Sequence, residues 1–191
     1  MKVLFIGGIK SGKSVNAEHY ALRHPELDSG SAPFYLATTE FMDNEVKQRI
    51  QVHQERRKEQ FITIEEPLDL ISAITPLKEP VLIECTTMWI NNMLYHQKTK
   101  KQIVEHITTL LTLPNDIIFV HNDVGGGIIP DNALAREYVD ISGIVSQVIA
   151  THCDEVYHCI AGISTQIKGN GSPYGEVNGK WGRAFGRDYS E

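Results

Sequence analysis

The stretch GGIKSGKS at residues 7–14 constrains the fold of this chain more than any other, because it directly follows the apolar run VLFI. It satisfies G-x-x-x-x-G-K-[ST], a loop that joins a buried strand to a helix and surrounds phosphates with backbone amides. Gly7, Gly8 and Gly12 permit the backbone conformations that aim these amides inward. The stretch therefore predicts a nucleotide site in which Lys13 reaches the β- and γ-phosphates and Ser14 ligates magnesium.

Apolar runs and helical patterns alternate along the rest of the chain, which predicts an α/β fold with a mainly parallel sheet flanked by helices. The predicted strands are Val3–Ile6, Phe34–Ala37, Val81–Ile83, Ile117–Val120 and Val156–Ala161. The predicted helices are Gly12–His24, Asp43–Gln60, Thr87–His96, Gln102–Leu113 and Ala133–Thr151. We expect Pro130 and Asp131 to mark the start of the last helix, with Asp131 capping its backbone donors.

Size and charge favour one domain with a small-molecule ligand. The chain has 191 residues and is 41% hydrophobic, which suits one core in residues 1–168, while the glycine-rich residues 169–191 predict a tail. Its 18 basic and 24 acidic residues give a net charge of −6, which disfavours nucleic-acid binding. No segment has the pattern of a signal peptide or a membrane span, and Cys85, Cys153 and Cys159 suggest no disulfide framework. We therefore expect a reduced, cytoplasmic protein.

A carboxylate ends one of the predicted strands. The run VLIEC places Glu84 at the carboxyl end of the strand that begins at Val81, which is where parallel sheets bind their ligands. From this position Glu84 can hold magnesium directly or through water. The alternative is a strand-end glutamate that only faces solvent.

The predicted helix Asp43–Gln60 carries a histidine on a face that changes from apolar to polar. Val46, Ile50, His53 and Arg57 fall on this face at helical spacing. A histidine in such a place can act as a general base, a metal ligand or a nucleophile towards phosphorus, and arginines beside it suit anionic phosphates. The alternative is a charged helix surface in contact with water.

Several segments in order resemble the bifunctional adenosylcobinamide kinase/adenosylcobinamide-phosphate guanylyltransferase family of cobalamin biosynthesis, over roughly residues 1–168. The segments are GGIKSGKS, YLATTE, DNEVKQRIQVHQERR, VLIECTTMWINNML and NDVGGGIIPDNALAREYVDISGIVSQVIA. The resemblance implies a P-loop NTPase-like (RecA-type) fold. It also implies an enzyme that phosphorylates adenosylcobinamide from ATP or GTP with Mg²⁺, and then transfers GMP from GTP to adenosylcobinamide phosphate.

The resemblance also assigns roles to residues. It places the guanylylated histidine at His53, and makes Arg49 and Arg57 candidates for contact with pyrophosphate or the substrate phosphate. It suggests a homo-oligomer, with a trimer expected, and Asp123 departs from it because family members commonly carry glutamate there. The predicted catalytic residues are His53 and Lys13, and the predicted metal ligands are Ser14 and Glu84. The predicted nucleotide-binding residues are Gly7, Gly8, Ile9, Lys10, Ser11, Gly12, Lys13, Ser14, Glu65 and Glu84.

Other functions stay open at this point. The chain can be a monofunctional P-loop kinase of another small molecule in which His53 is structural, or a non-catalytic switch whose bound nucleotide orders loops for a protein partner. The repeat of His-Cys in HCDEVYHC, residues 152–159, is a weaker candidate for a zinc site. Alternation along a strand points adjacent His and Cys side chains to opposite faces, which disfavours that site.

Overall fold

The computed structural model describes residues 1–24, 31–40, 60–127 and 129–169. The strands are β1 Lys2–Gly7, β2 Phe34–Ala37, β3 Ile62–Glu65, β4 Val81–Glu84, β5 Ile117–Asn122, β6 Glu155–Ile160 and β7 Ile163–Lys168. The helices are α1 Lys13–Ala21, α2 Leu70–Ile74, α3 Thr86–Tyr95, α4 Lys100–Leu111 and α5 Ala133–His152.

The seven strands form one sheet in the order β3-β2-β4-β5-β1-β6-β7. Neighbouring strands run parallel, except that β7 pairs antiparallel with β6 as a hairpin. One strand, β5, separates β1, which leads into the phosphate loop, from β4, which ends at Glu84. The predicted α/β fold with a mainly parallel sheet flanked by helices is confirmed, and the phosphate-loop motif lies between β1 and α1 as predicted.

Two apolar clusters cover the two faces of the sheet. On one face, Phe119 and its neighbours pack with buried residues of helices α2 to α5. On the other face, Leu82 and Val120 pack with the buried alanines of α1. Because side chains alternate along a strand, residues two positions beyond Leu82 and Val120 lie on the α1 face. These residues are Glu84 and Asn122.

The structure adds three elements that the sequence patterns did not predict. Strand β3 has only four residues and is largely exposed, strand β7 alternates between exposed and half-buried positions, and α2 spans five residues. The two strands lie at the sheet edges and bury little apolar surface, and α2 is too short to show a helical period. The turn between β6 and β7 is made by Ala161 and Gly162, both at positive φ, 52° and 85°, which suits a tight hairpin.

One predicted detail is wrong, and two predictions lie outside the described residues. Asn132, not Asp131, caps α5, because its side chain accepts a hydrogen bond from the backbone N–H of Ala135. Asp131 precedes the cap by one residue. The predicted helix Asp43–Gln60 and the predicted tail fall, apart from Gln60 and Gly169, in stretches that are not described.

Candidate nucleotide site

Glycines shape the loop between β1 and α1. Gly12 is the N-cap residue of α1 and has φ 91°, a left-handed conformation that strains other residues. A Cβ atom on Gly12 would lie 2.8 Å from the Cα atom of Gly162, and a Cβ atom on Gly7 would lie 2.3 Å from the carbonyl oxygen of Cys159. Close backbone packing therefore requires glycine at both ends of the loop.

The β6–β7 turn contacts the outer side of this loop. The backbone N–H of Gly162 donates to the carbonyl oxygen of Ser11 at 2.8 Å. The Asn16 amide donates to the carbonyl oxygens of Gly12, at 2.9 Å, and Gly162, at 3.3 Å. These bonds join the loop, the first turn of α1 and the hairpin. The hairpin thus supports the loop conformation from outside.

Lys13 is buried at 6% exposure and lies at the first position of α1. Its ammonium group donates to the carbonyl oxygen of Gly8, on the opposite side of the loop, at 3.1 Å. The positive charge therefore lies inside the loop, beside the amino terminus of α1, where the helix dipole also favours an anion. A polyphosphate bound in the loop would accept hydrogen bonds from this ammonium group.

The side chains of Ser14, in the first turn of α1, and Glu84, at the end of β4, contact each other. The Ser14 hydroxyl donates to Oε1 of Glu84 at 2.9 Å, although the two residues are 70 positions apart in the chain. A hydroxyl and a carboxylate are the hard oxygen donors that Mg²⁺ takes, together with water and phosphate oxygens. The residues present therefore fit a magnesium ion held between the loop and the end of β4.

A second group of polar side chains lies close to the carboxyl ends of β4 and β5. Asn122 ends β5 in register with Gly7, and its amide donates to the Thr87 hydroxyl at 3.0 Å. The Thr87 hydroxyl also lies 3.1 Å from the Cys85 sulfur. Burial, and next the carboxylate of Glu84, raise the pKa of the Cys85 thiol, which keeps it neutral. Nucleophilic chemistry at this sulfur is therefore not favoured.

His121 lies behind the site, on the other face of the sheet. It is 1% exposed and bonds to Thr86 through Nδ1, at 2.8 Å, and to Ser142 through Nε2, at 3.0 Å. The Thr86 hydroxyl donates to the carbonyl oxygen of Val120, so it accepts from Nδ1–H and Nε2 accepts from Ser142. Burial lowers the pKa of His121 to about 4. The neutral imidazole of His121 therefore joins the end of β5 to α3 and α5.

The remaining predicted residues are placed as follows. Ile9 is 80% exposed at the outside of the loop. Glu65 is exposed and in register with Ala37, which is in register with Glu84. Glu65 therefore lies on the α1 face, two strands or roughly 10 Å from Glu84. His53, Arg49 and Arg57 lie outside the described residues.

Asp123 follows β5 beside the phosphate loop. Its backbone N–H donates to the carbonyl oxygen of Gly7 at 2.9 Å, and its exposed carboxylate accepts from the N–H of Gly125 at 3.2 Å. Its side chain thus caps the turn that begins the glycine-rich loop.

The His-Cys repeat does not gather into one cluster. Cys153 packs on the face covered by α2 to α5, whereas Cys159 packs on the α1 face, so the sheet separates the two thiols. Among the residues that the structure describes, no group of three or more His, Cys, Asp or Glu side chains is placed to hold a metal ion. Nor does any described helix combine the length and the apolar character needed to cross a membrane.

Sequence patterns missed several residues of the site. Thr87 and Asn122 lie in two of the segments that resemble the family, but neither residue is charged or belongs to a motif with a known role. Their position at the end of β5 and three residues after the end of β4 is the signal that predicts them, because ligands bind at the carboxyl ends of parallel strands. The contact between Gly162 and the loop has no sequence signal, since it depends on the pairing of β6 with β1.

Comparison with known proteins places this site in a family. The model of the family described as "Cobinamide kinase / cobinamide phosphate guanyltransferase" matches residues 3–167. The bifunctional adenosylcobalamin biosynthesis protein CobP of Pseudomonas aeruginosa is 36% identical over 175 residues, covering 88% of this chain and 98% of that protein. CobU of Escherichia coli K12, with the same description, is 35% identical over 187 residues, covering 88% of this chain and all of that protein.

The solved structures that resemble the chain are more distant. The flagellar accessory protein FlaH from Methanocaldococcus jannaschii superposes with a TM-score of 0.48 at 12% identity, over 88% of this chain and 78% of that one. This likeness is too weak to bear on function.

Proposed function

This chain belongs to the cobinamide kinase / cobinamide phosphate guanyltransferase family, and from that premise we propose that it catalyses two successive reactions at one nucleotide site. In the first, a hydroxyl of adenosylcobinamide takes the γ-phosphoryl group of ATP or GTP. In the second, the phosphorylated product takes GMP from GTP. The family and the class of enzyme predicted from the sequence are confirmed.

The kinase step uses the loop, Lys13, Ser14 and Glu84. The substrate hydroxyl attacks the γ-phosphorus and loses its proton to water, the bond from that phosphorus to the β-phosphate oxygen breaks, and the nucleoside diphosphate leaves. Lys13 and the loop amides hold the charge that moves onto the leaving oxygens. Ser14 and Glu84 would hold Mg²⁺, which supplies charge neutralisation to the phosphate oxygens when it is bound.

The guanylyl step uses His53 as nucleophile. A neutral imidazole nitrogen attacks the α-phosphorus of GTP, a nitrogen–phosphorus bond forms, and pyrophosphate leaves. An oxygen of the substrate phosphate then attacks the same phosphorus, which breaks the nitrogen–phosphorus bond and returns the imidazole. Arg49 and Arg57 stabilise the pyrophosphate or the incoming phosphate by charge-assisted hydrogen bonds.

The observation that best supports the proposal is the 2.9 Å contact of Ser14 with Glu84 beside the buried Lys13. It places the Lys13 ammonium group and two oxygen ligands suited to Mg²⁺ at one phosphate loop. Enzymes that transfer phosphoryl groups from nucleoside triphosphates use such groups. A non-catalytic switch needs no acceptor site, whereas the family to which the chain belongs is described by two transfer reactions. A homotrimer and a cytoplasmic location remain predictions.

Product analysis tests the two steps separately. The protein is incubated with adenosylcobinamide, GTP and magnesium, and the corrinoid products are resolved by chromatography. We expect both adenosylcobinamide phosphate and adenosylcobinamide-GDP from the wild type, only the phosphate from His53→Ala, and both products from the control His19→Ala, which changes an exposed histidine of α1. Adenosylcobinamide-GDP from His53→Ala at the wild-type rate would refute the covalent route. No phosphorylation of adenosylcobinamide by the wild type would refute the kinase assignment.

A further inference from the structure

Thr38 is a buried polar residue directly after β2, at the strand end that lies beside β4. It is 0% exposed, and its side chain and backbone bond only to the end of β4 and to α3 in the part of the chain that is described. Its backbone N–H donates to the carbonyl oxygen of Glu84 at 3.1 Å. This bond extends the parallel pairing of the two strands past Ala37.

The Thr38 hydroxyl bonds to both the backbone N–H and the backbone carbonyl oxygen of Cys85. It accepts a hydrogen bond from the backbone N–H of Cys85 at 3.1 Å, and it donates to the carbonyl oxygen of Cys85 at 2.9 Å. The hydroxyl also lies 3.3 Å from the carbonyl oxygen of Glu84, so four hydrogen-bond contacts join Thr38 to Glu84 and Cys85. They hold the backbone from which the Glu84 carboxylate extends towards Ser14.

Asn92 closes this arrangement into a ring. Helix α3 begins directly after Cys85, and two turns later the buried amide of Asn92 donates to the carbonyl oxygen of Thr38 at 2.6 Å. The same amide donates to the carbonyl oxygen of Pro67 at 3.1 Å. The ring therefore runs from Cys85 along α3 to Asn92, across to Thr38, and back to Glu84. A ring of this kind lets the strand end shift only if several buried bonds break together.

We propose that Thr38 is a positioning residue for the magnesium site, which acts by fixing the backbone of Glu84 and Cys85 so that the Glu84 carboxylate meets Ser14. The inference rests on the proposed function, because it takes Ser14 and Glu84 as the magnesium ligands. Residues that orient a ligand of a metal commonly change metal affinity by about 10- to 100-fold when they are removed.

Thr38→Val tests the proposal, because valine keeps the shape of threonine and removes only the hydroxyl. The measurement is the affinity of the full-length protein for a GTP analogue with a methylene bridge between the α- and β-phosphorus, which cannot guanylylate a histidine. Calorimetric titrations measure this affinity in excess magnesium and in EDTA. We call the affinity in magnesium divided by the affinity in EDTA the magnesium enhancement. We expect Thr38→Val to lower this ratio about tenfold or more, with the affinity in EDTA changed by less than about twofold.

Matched variants separate positioning from general damage. Thr38→Ser keeps the hydroxyl and should restore the wild-type ratio, and Thr108→Val removes the hydroxyl of an exposed helical threonine and should not change it. If Thr38→Val shows no cooperative unfolding transition, Thr38→Ala takes its place. A wild-type ratio in the folded variant that lacks the hydroxyl would overturn the proposal, as would a ratio that stays low in Thr38→Ser.

The variant Glu84→Gln shows whether a negative result concerns only the role of Thr38 or the proposed magnesium site itself. If Glu84→Gln lowers the magnesium enhancement and Thr38→Val does not, only the role of Thr38 is wrong. If Glu84→Gln keeps the wild-type enhancement, Glu84 is not a magnesium ligand, and both the metal assignment and the role of Thr38 are overturned.

Discussion

Lys13 is the side chain on which both proposed reactions depend, because each needs the triphosphate in the loop. Its ammonium group is buried and bonds to the carbonyl oxygen of Gly8, so a bound phosphate would gain a charge-assisted bond already held in place. We expect Lys13→Ala to weaken GTP binding by about 10- to 100-fold, since hydrogen bonds to charged groups contribute about 1.5–3 kcal/mol. Calorimetric titration measures this change. The control is Lys101→Ala, an exposed lysine of α4, and equal affinities of the two variants would contradict the role of Lys13.

His121 predicts a pH dependence of stability. Its pKa is about 4 in the folded protein and about 6.5 in an unfolded chain, so between these values the unfolded state binds the extra proton. The contribution of His121 to stability is therefore fully present above about pH 6.5 and is lost as the pH falls towards 4. Between about pH 7 and pH 5 this amounts to about 2 kcal/mol. Urea unfolding at these two pH values should show a smaller loss in His121→Gln, and equal losses in variant and wild type would contradict the assignment.

At the scale of elements, the β6–β7 hairpin and the phosphate loop form one unit. Gly12 has φ 91° and packs against Gly162, so Gly12→Ala adds both backbone strain and a close contact. We expect this change to reduce the free energy of unfolding by about 1–3 kcal/mol. Gly8→Ala is the matched control in the same loop, because a Cβ atom there meets nothing within 4 Å, and it should change stability by less than about 0.5 kcal/mol. Urea unfolding of both variants checks the prediction. Equal losses of unfolding free energy in Gly12→Ala and Gly8→Ala would contradict it.

The elements that could be predicted from the sequence are those that are long or carry a motif. The run VLFI with GGIKSGKS predicted β1, the loop and α1, and VLIEC predicted the strand that ends at Glu84, since a buried strand leaves a run of apolar residues. Strands β3 and β7 left no such signal because they lie at the sheet edges, where their side chains are exposed or half-buried. The bonds of Thr38 to Cys85 could not be predicted from the sequence for another reason. They arise from the pairing of β2 with β4, which no local pattern encodes.

At the scale of the whole molecule, sheet order brings distant residues to one edge. The phosphate loop follows β1 and Glu84 ends β4, with β5 and Asn122 between them. All three lie on the face covered by α1, so the nucleotide site is assembled from the carboxyl ends of three strands. His53 belongs to the connection between β2 and β3, outside the described residues, and its part in the reaction is a proposal.

The central claim is that one nucleotide site supports a covalent guanylyl transfer through His53. The most direct test incubates the protein with magnesium and GTP labelled at the α-phosphorus, denatures it, and maps the retained label by peptide analysis. We predict acid-labile GMP on His53, and no retained label in His53→Ala. A folded protein that binds GTP but retains no label, or retains it on another residue, would contradict the claim.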